Sequence, residues 1–460
     1  MRVSLAAAVA ATGATLVDAA GAPQMLRVST DTRTIEPGDT FLALRGERFD
    51  GHAFAAEAVA RGASLLILER ADARVEGVAT MVVTDSLEAY MALGALARES
   101  FEGRVVAITG SAGKTTTKAF LVQLLAAHYG DRVAAPPANE NNEIGVTKLM
   151  LSLSPETHDI AVVEMGARRS GDIAALVEVV RPEIGILTNV GEAHLEIMGS
   201  RERLEETKWA LFSRGARAIL NSRDEVSRRR APSLSQPPDW FAAFDEIAPP
   251  AQDAALRPYA AVLGGARVLY RRARGEIERE VPVRVPGLHN RANLAAAVAG
   301  AERLDVPFDA VVNAIPDVEL PPGRYQSMVV NGLRVIYDAY NANASGMVAA
   351  LDAFAGEKGT RRIAVLASMA ELGEESQVLH ERVGGHAAGR VDVLLVAGDF
   401  AAALALGARG AGFDPASIVA VESNAAATRW LREHARADDV VLLKGSRKYQ
   451  LEEIVEDLRG

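Results

Sequence analysis

The chain has 460 residues, too many for one ordinary core, and at about 100–200 residues per domain this implies about three. Its 49% hydrophobic and 24% charged residues are those of a globular protein, and the net charge of −10 argues against a strongly basic nucleic-acid binder while leaving room for anionic small ligands. No cysteine is present, which excludes thiol catalysis, disulfides and thiolate metal sites.

Near the start, Arg2 and the run Leu5-Ala6-Ala7-Ala8-Val9-Ala10 have the outline of a secretory signal. Only one positive charge precedes the run, however, and Thr12, Gly13, Thr15 and Asp18 interrupt or follow it, so it reads as a short amphipathic starting helix. No apolar stretch reaches the ~18 residues of a membrane span, and a soluble, cytoplasmic protein is expected. Strand-like runs at 40–44, 64–68 and 81–84 then alternate with helical patterns near 53–62 and 86–100, a small α/β block.

A second block begins near Arg104. The apolar run Val105-Val106-Ala107-Ile108 feeds directly into Thr109-Gly110-Ser111-Ala112-Gly113-Lys114-Thr115-Thr116, and helix-spaced Phe120, Leu121, Leu124 and Leu125 follow. Strand, small-residue loop and helix in that order form a phosphate site: backbone N–H groups and the helix dipole face anionic oxygens, Lys114 adds a cation, and the Thr115 hydroxyl suits Mg²⁺. The usual spacing would place glycine at Ile108, so the loop is a shortened version. Strands are predicted at 160–163, 184–188 and 216–220. Polar clusters mark strand ends at Asn139-Glu140-Asn141-Asn142-Glu143-Ile144-Gly145, at Glu164-Met165-Gly166 and at Asn189-Val190-Gly191-Glu192-Ala193-His194. Glu164 is the candidate Mg²⁺ carboxylate. From spacing alone, His194 is as well explained by a structural role as by a functional one. Between 223 and 258, with Arg228-Arg229-Arg230 and paired prolines, the pattern dissolves into loop or peripheral structure, and the triple arginine reads as solvated surface.

The third block opens on the hinge-like Pro321-Pro322-Gly323 and carries strands at 334–337, 363–367, 391–396 and 440–444 between helices. This predicts a mostly parallel sheet covered on both faces, with ligands at the carboxyl ends of its strands. Lys444-Gly445-Ser446-Arg447 follows a strong apolar strand and opens a helix, an arrangement suited to a carboxylate. The domains are set at 1–102, 103–318 and 319–460.

Together the phosphate loop, Asn142-Glu143-Ile144-Gly145, Glu164-Met165-Gly166 and Ala193-His194-Leu195-Glu196 resemble the Mur ligases, which build the peptide of bacterial cell-wall precursors. Three further groups of segments resemble the branch of that family that attaches the terminal dipeptide. They are Thr30-Asp31-Thr32-Arg33 with Ala43-Leu44-Arg45-Gly46-Glu47-Arg48-Phe49-Asp50-Gly51-His52; Tyr340-Asn341-Ala342-Asn343; and Met369-Ala370-Glu371-Leu372-Gly373. The resemblance runs over essentially the whole chain. It implies an α/β protein of three domains: a small UDP-sugar domain, a central phosphate-loop ATPase with a parallel sheet, and a Rossmann-like C-terminal domain. The implied activity is ATP-dependent joining of D-alanyl-D-alanine to UDP-N-acetylmuramoyl-tripeptide through an acyl phosphate, by a monomer without nucleic-acid or membrane partners.

The resemblance assigns roles residue by residue. Thr30, Asp31, Arg33, Arg45, Gly46 and Asn142 fall to the UDP-tripeptide, although Asp31 and Arg33 alone read equally well as turn and surface residues. Gly110 through Thr116 hold the ATP phosphates, with Lys114 on the β/γ-phosphates. Thr115 and Glu164 hold one Mg²⁺ and His194 helps with a second. Lys208, on its own a solvent-facing helix lysine, matches a lysine carried as a carbamate, which turns a cation into an oxygen donor for Mg²⁺. Asn290 and Asn293 fall to the adenine, Arg324 to the γ-phosphate, and Asp338 with Tyr340 and Asn341 to the nucleotide, while Lys444, Ser446 and Arg447, from their place at a strand end, are expected at a substrate carboxylate. Where the family has a serine directly before the methionine after its Asn-Ala-Asn, or one residue earlier, this chain has Gly346 and Ser345. The nearest rivals are a third-residue-adding ligase, whose Asp-Asn-Pro-Arg segment is absent, and a folylpolyglutamate synthase. A switch-type nucleotide binder lacks its Asn-Lys-x-Asp here.

Overall fold

The computed structural model describes all residues except 47–48, 138, 192–194, 254 and 273–274, with residues 195 and 196 described by backbone alone. Its strands form three large sheets in three successive stretches of chain, together with a small antiparallel pair of Val3–Ser4 and Met25–Leu26. In the first large sheet Val28–Ser29, Thr40–Leu42, Leu65–Leu68 and Ala79–Val82 run parallel, and Thr15–Val17 adds an antiparallel edge. The starting helix is Leu5–Thr12, capped by the Ser4 side chain. Among the described residues no helix is long and apolar enough to cross a membrane.

Among the described residues the central sheet has nine strands, with Arg104–Thr109 between Ile160–Glu164 and Ile184–Leu187. All are parallel from Val133–Ala134 to Tyr259–Leu263, after which Arg267–Arg271 and Glu276–Glu280 add an antiparallel edge. The helices Lys114–Tyr129 and Leu288–Arg303 pack together on one face, burying Phe120, Leu121, Leu124, Leu125 and Leu294. The helices Glu143–Ser152 and Asp172–Val180 cover the other face through Val146, Met150, Ile173 and Leu176, and this two-sided cover explains why these strands are continuous apolar runs instead of alternating ones.

This geometry corrects the reading of 223–258 as loop. Asp239–Ala243 is a central parallel strand beneath the helix Leu288–Arg303. Its Trp-Phe-Ala-Ala sequence has no polar alternation to signal a strand, because both of its faces are covered. The three arginines are likewise more than solvated surface: Arg228 pairs with buried Asp253, Arg229 pairs with Glu205, and the Arg230 guanidinium lies 5.0 Å from the Trp209 ring centre. The third sheet has six strands, parallel except for Gln326–Val330, and includes an unanticipated edge strand at Ile418–Ala420.

Candidate functional site

Parallel register brings the sequence clusters together. Glu164 pairs with Ile108 and Leu187 with Thr109, so the residues after three adjacent strands emerge at one carboxyl edge beside the phosphate loop. Within the loop, the Ser111 amide donates to Asn189 O at 3.0 Å and the Ala112 amide to Asn189 Oδ1 at 3.1 Å, while Thr188 Oγ1 donates to Ala112 O at 2.6 Å. Ser111 and Ala112 therefore brace the loop through their amides. The amides that open the helix Lys114–Tyr129 are left for phosphate, as at any helix start. The sequence marks residue 188 only as a strand end and Asn189 only as part of a polar cluster, and their role in bracing the loop escaped it because the bonds span about 77 residues of chain.

Lys114 is folded back on the loop, its Nζ donating to Gly110 O at 2.8 Å. Burial pulls its pKa below the ordinary lysine value, Glu164 opposes that shift and Arg324 adds to it. Gly113 sits at φ +82°, left-handed backbone that glycine adopts without strain, and a Cβ there would run into the Asn293 amide. Asn290 and Asn293 are both turned inward. The Thr117 hydroxyl donates to Asn293 Oδ1 at 3.3 Å, and Asn290 Nδ2 donates to Pro286 O at 3.1 Å. Asn293 thus props the loop from below. Next to Asn290, His289 has a buried Nδ1 without a hydrogen-bond partner, and burial pushes its pKa down to about 4.

Glu164 is 1% exposed. Its Oε1 accepts from Thr115 Oγ1 at 3.2 Å and Asn141 Nδ2 at 2.8 Å, whereas buried Oε2 has no hydrogen-bond partner and lies 3.8 Å from Lys118 Nζ. An orphaned carboxylate oxygen beside a hydroxyl and a phosphate loop suits a hard divalent cation. Among the described residues no three His, Asp or Glu side chains gather for a metal. His194 lies outside the described residues. Lys208, on the helix Arg201–Trp209, is 1% exposed, which corrects its reading as a solvent-facing lysine. Burial, and then the Lys114 charge, hold its pKa well below the ordinary value.

The third block reaches into the same site. Arg324 follows Gly323, stacks 4.3 Å from the Tyr340 ring centre, and is near enough to Glu164 and Lys114 for their charges to act on it or respond to it. Burial lowers its pKa against the pull of Asp338 and Glu164. Asp338 is already engaged, Oδ1 accepting the Tyr325 amide at 3.1 Å and Oδ2 lying 3.1 Å from Lys444 Nζ. Asn341 Oδ1 accepts the Ala342 amide at 2.9 Å.

Lys444 turns inward. Its Nζ donates to Asp338 O and Asn341 O, each at 3.0 Å, and pairs with the Asp338 carboxylate. Its three donors are thereby directed at the 338–341 turn. Directly after Ser446 the chain forms the three-residue turn Arg447–Tyr449, not the opening of an α-helix. Arg447 is exposed and pairs with Glu452 at 2.6 Å.

Between the first and central blocks lies a cleft of about 1210 Å³ lined by Thr30, Asp31, Tyr90, Asn142 and Lys148 among others. Asp31 caps a short turn and is held by Arg33, whose guanidinium lowers its pKa to about 2. Asn142 caps the helix Glu143–Ser152 through the Gly145 amide at 3.0 Å. Arg45 and Gly46 follow the neighbouring strand but do not line the cleft, and Arg45 lies 3.6 Å from Glu69.

Known proteins are similar to this chain in all three blocks. Residues 26–98 match the Mur ligase family catalytic domain, 108–301 the Mur ligase middle domain, and 323–447 the Mur ligase glutamate ligase domain. UDP-N-acetylmuramoyl-tripeptide--D-alanyl-D-alanine ligase of Synechocystis sp. is 36% identical over 83% of this chain and 82% of its own length. The crystal structure of MurF from Acinetobacter baumannii superposes with a TM-score of 0.84 at 28% identity, covering 100% of this chain and 99% of that one. MurF from Thermotoga maritima in complex with ADP gives 0.79 at 27% identity, over 94% and 97%.

Proposed function

The chain belongs to the Mur ligase family, and from that membership we propose that it joins D-alanyl-D-alanine to the terminal carboxylate of UDP-N-acetylmuramoyl-tripeptide at the expense of ATP, in the cytoplasm. A carboxylate oxygen of the tripeptide attacks the γ-phosphorus and ADP leaves. The free amine of the dipeptide then attacks the acyl carbon, phosphate leaves, and the nitrogen loses a proton. The observation that carries this reading is the approach of the third block to the phosphate loop: Asn343 Nδ2 donates to Ser111 O at 3.3 Å, and Arg324 is stacked on Tyr340 just before that contact. Lys114 and Arg324 thus approach the transferring phosphoryl group from two blocks of the protein. Removing one preorganised charge of this kind typically costs about 10²- to 10³-fold in rate.

Thr115 and Glu164, with Lys208 as its carbamate and His194, are the residues we assign to Mg²⁺, which when bound neutralises phosphate charge. Burial lowers the pKa of this amine well below its ordinary value and so favours the neutral form, the form that adds CO₂, and this supports the carbamate. The orphaned Glu164 oxygen supports the cation. Thr30, Asp31 and Asn142 in the cleft are assigned to the UDP-tripeptide, and Ser446 and Arg447 to the dipeptide carboxylate. Domain boundaries at 102/103 and 318/319 fall between the three large sheets. Phosphate release is expected only with ATP, UDP-tripeptide and D-alanyl-D-alanine together. Equal turnover with D-alanine or glutamate as acceptor overturns the assignment.

A further inference from the structure

Asn343 makes a contact that its local role does not require. It caps the helix Ala344–Ala355, its Oδ1 accepting the Gly346 amide at 2.8 Å and the Ser345 hydroxyl at 3.2 Å. A helix cap needs only that oxygen. The other end of the amide, Nδ2, donates at 3.3 Å to the carbonyl of Ser111, a phosphate-loop residue 232 positions earlier. Because the cap fixes which end is oxygen, the amide has only one orientation that satisfies both neighbours.

Ser111 is itself immobilised. Its amide donates to Asn189 O at 3.0 Å, and its Oγ accepts the Gly191 amide at 2.9 Å. Ser345 approaches the same place: its Oγ would lie 3.3 Å from a Cβ built on Gly191. At the other end of this helix, Ala353 packs against Gly287 of the central block. The helix Ala344–Ala355 therefore lies along the junction of the two blocks, with its capped end on the phosphate loop and Tyr340, the stacking partner of Arg324, just before it.

We propose that Asn343 is a positioning residue that registers the third block on the phosphate loop, so that Arg324 is delivered beside Lys114 only when the two blocks are closed. The proposal rests on the ligase reading above, in which both cations act on one phosphoryl group. With the blocks apart, the cap remains intact and Nδ2 returns to water. The cross-block bond therefore favours the closed, reacting form alone, and its loss is read in kcat and not in ground-state affinity. A single neutral hydrogen bond corresponds to about 3- to 10-fold in rate.

The test compares full-length Asn343→Ser and Asn343→Asp with the unaltered protein. Both retain a capping oxygen, but Ser lacks the donor and the reach, and Asp turns a carboxylate toward the Ser111 carbonyl. Asn343→Ser is expected to lower kcat about 3- to 10-fold while KM for UDP-tripeptide, affinity for ADP and the thermal midpoint stay as before, and Asn343→Asp is expected to lower kcat further. Unchanged kcat in both variants overturns the proposal. So does a fall in kcat that only follows a falling thermal midpoint, the pattern of a lost cap. If the unaltered protein shows no phosphate release dependent on D-alanyl-D-alanine, it is the ligase reading that fails. Solution X-ray scattering then still decides the role of Asn343: a nonhydrolysable ATP analogue should shrink the unaltered protein more than either variant, and equal shrinkage refutes it.

Discussion

Replacing Gly113 by alanine tests the floor of the phosphate loop. At φ +82° an L side chain costs about 1–2 kcal/mol in backbone strain. The new Cβ would overlap Asn293 Oδ1 and fall 3.1 Å from Asn293 Cγ, so the Asn293 amide must turn away. Turning gives up the 3.3 Å bond from Thr117 at a side chain only 7% exposed. An unsatisfied buried amide adds about 1–3 kcal/mol, which brings Gly113→Ala to about 2–5 kcal/mol. Asn293→Ala alone removes the same bond and costs about 1–3 kcal/mol. In the double variant the overlap is gone, so the pair should cost about 2–5 kcal/mol in place of the additive ~3–8, a coupling of about 1–3 kcal/mol. Urea unfolding followed through the fluorescence of Trp209 and Trp240, both in the central block, measures the cycle. Additivity within about 0.5 kcal/mol would refute the claim that Asn293 supports the loop through the space Gly113 leaves open.

Lys114→Met should lower the rate at least ~10²-fold without loss of stability, because the lysine is buried against its own charge; full activity would end the phosphate-loop reading. For Lys208, gentle intact-mass measurement in bicarbonate should show a labile added CO₂, and Lys208→Ala should lose activity that short carboxylic acids partly restore. In CO₂-free buffer the folded lysine releases its proton below the value of 10.5 that applies when it is exposed, so across that window the unfolded chain binds more protons and stability rises with pH. Lys208→Met should flatten that slope in unfolding measurements, and an unaltered slope counts against the burial argument. Arg33→Ala should return the Asp31 titration from about 2 toward the ordinary carboxylate range, as read by carboxyl NMR. A titration left near 2 would mean that the backbone amide, not the guanidinium, holds the charge.

Much of the site was legible because its parts are local. Strand, small-residue loop and helix lie within one continuous stretch, and each apolar strand that ends in a polar cluster announces where the parallel sheet presents ligands. Glu164 was singled out this way, and its Oε2 is buried without a hydrogen-bond partner. The strand Asp239–Ala243 was illegible for the opposite reason, since cover on both faces erases the alternation that marks a strand.

The sequence by itself determined the three-block α/β plan, the phosphate loop and the family, all of which depend on spacing along the chain. Tertiary structure alone decided which groups remain free to act. It spent the Ser111 and Ala112 amides on Asn189, turned Asn293 beneath Gly113, buried Lys208 beside Lys114, and closed Lys444 onto the 338–341 turn. A side chain's chemistry depends on its solvation and on partners that are distant in sequence. Lysine is a cation in water, an inward strut when three acceptors surround it, and an amine that gives up its proton more readily when burial penalises the charge. Spacing along the chain cannot distinguish these states, because folding alone brings together the groups that set them.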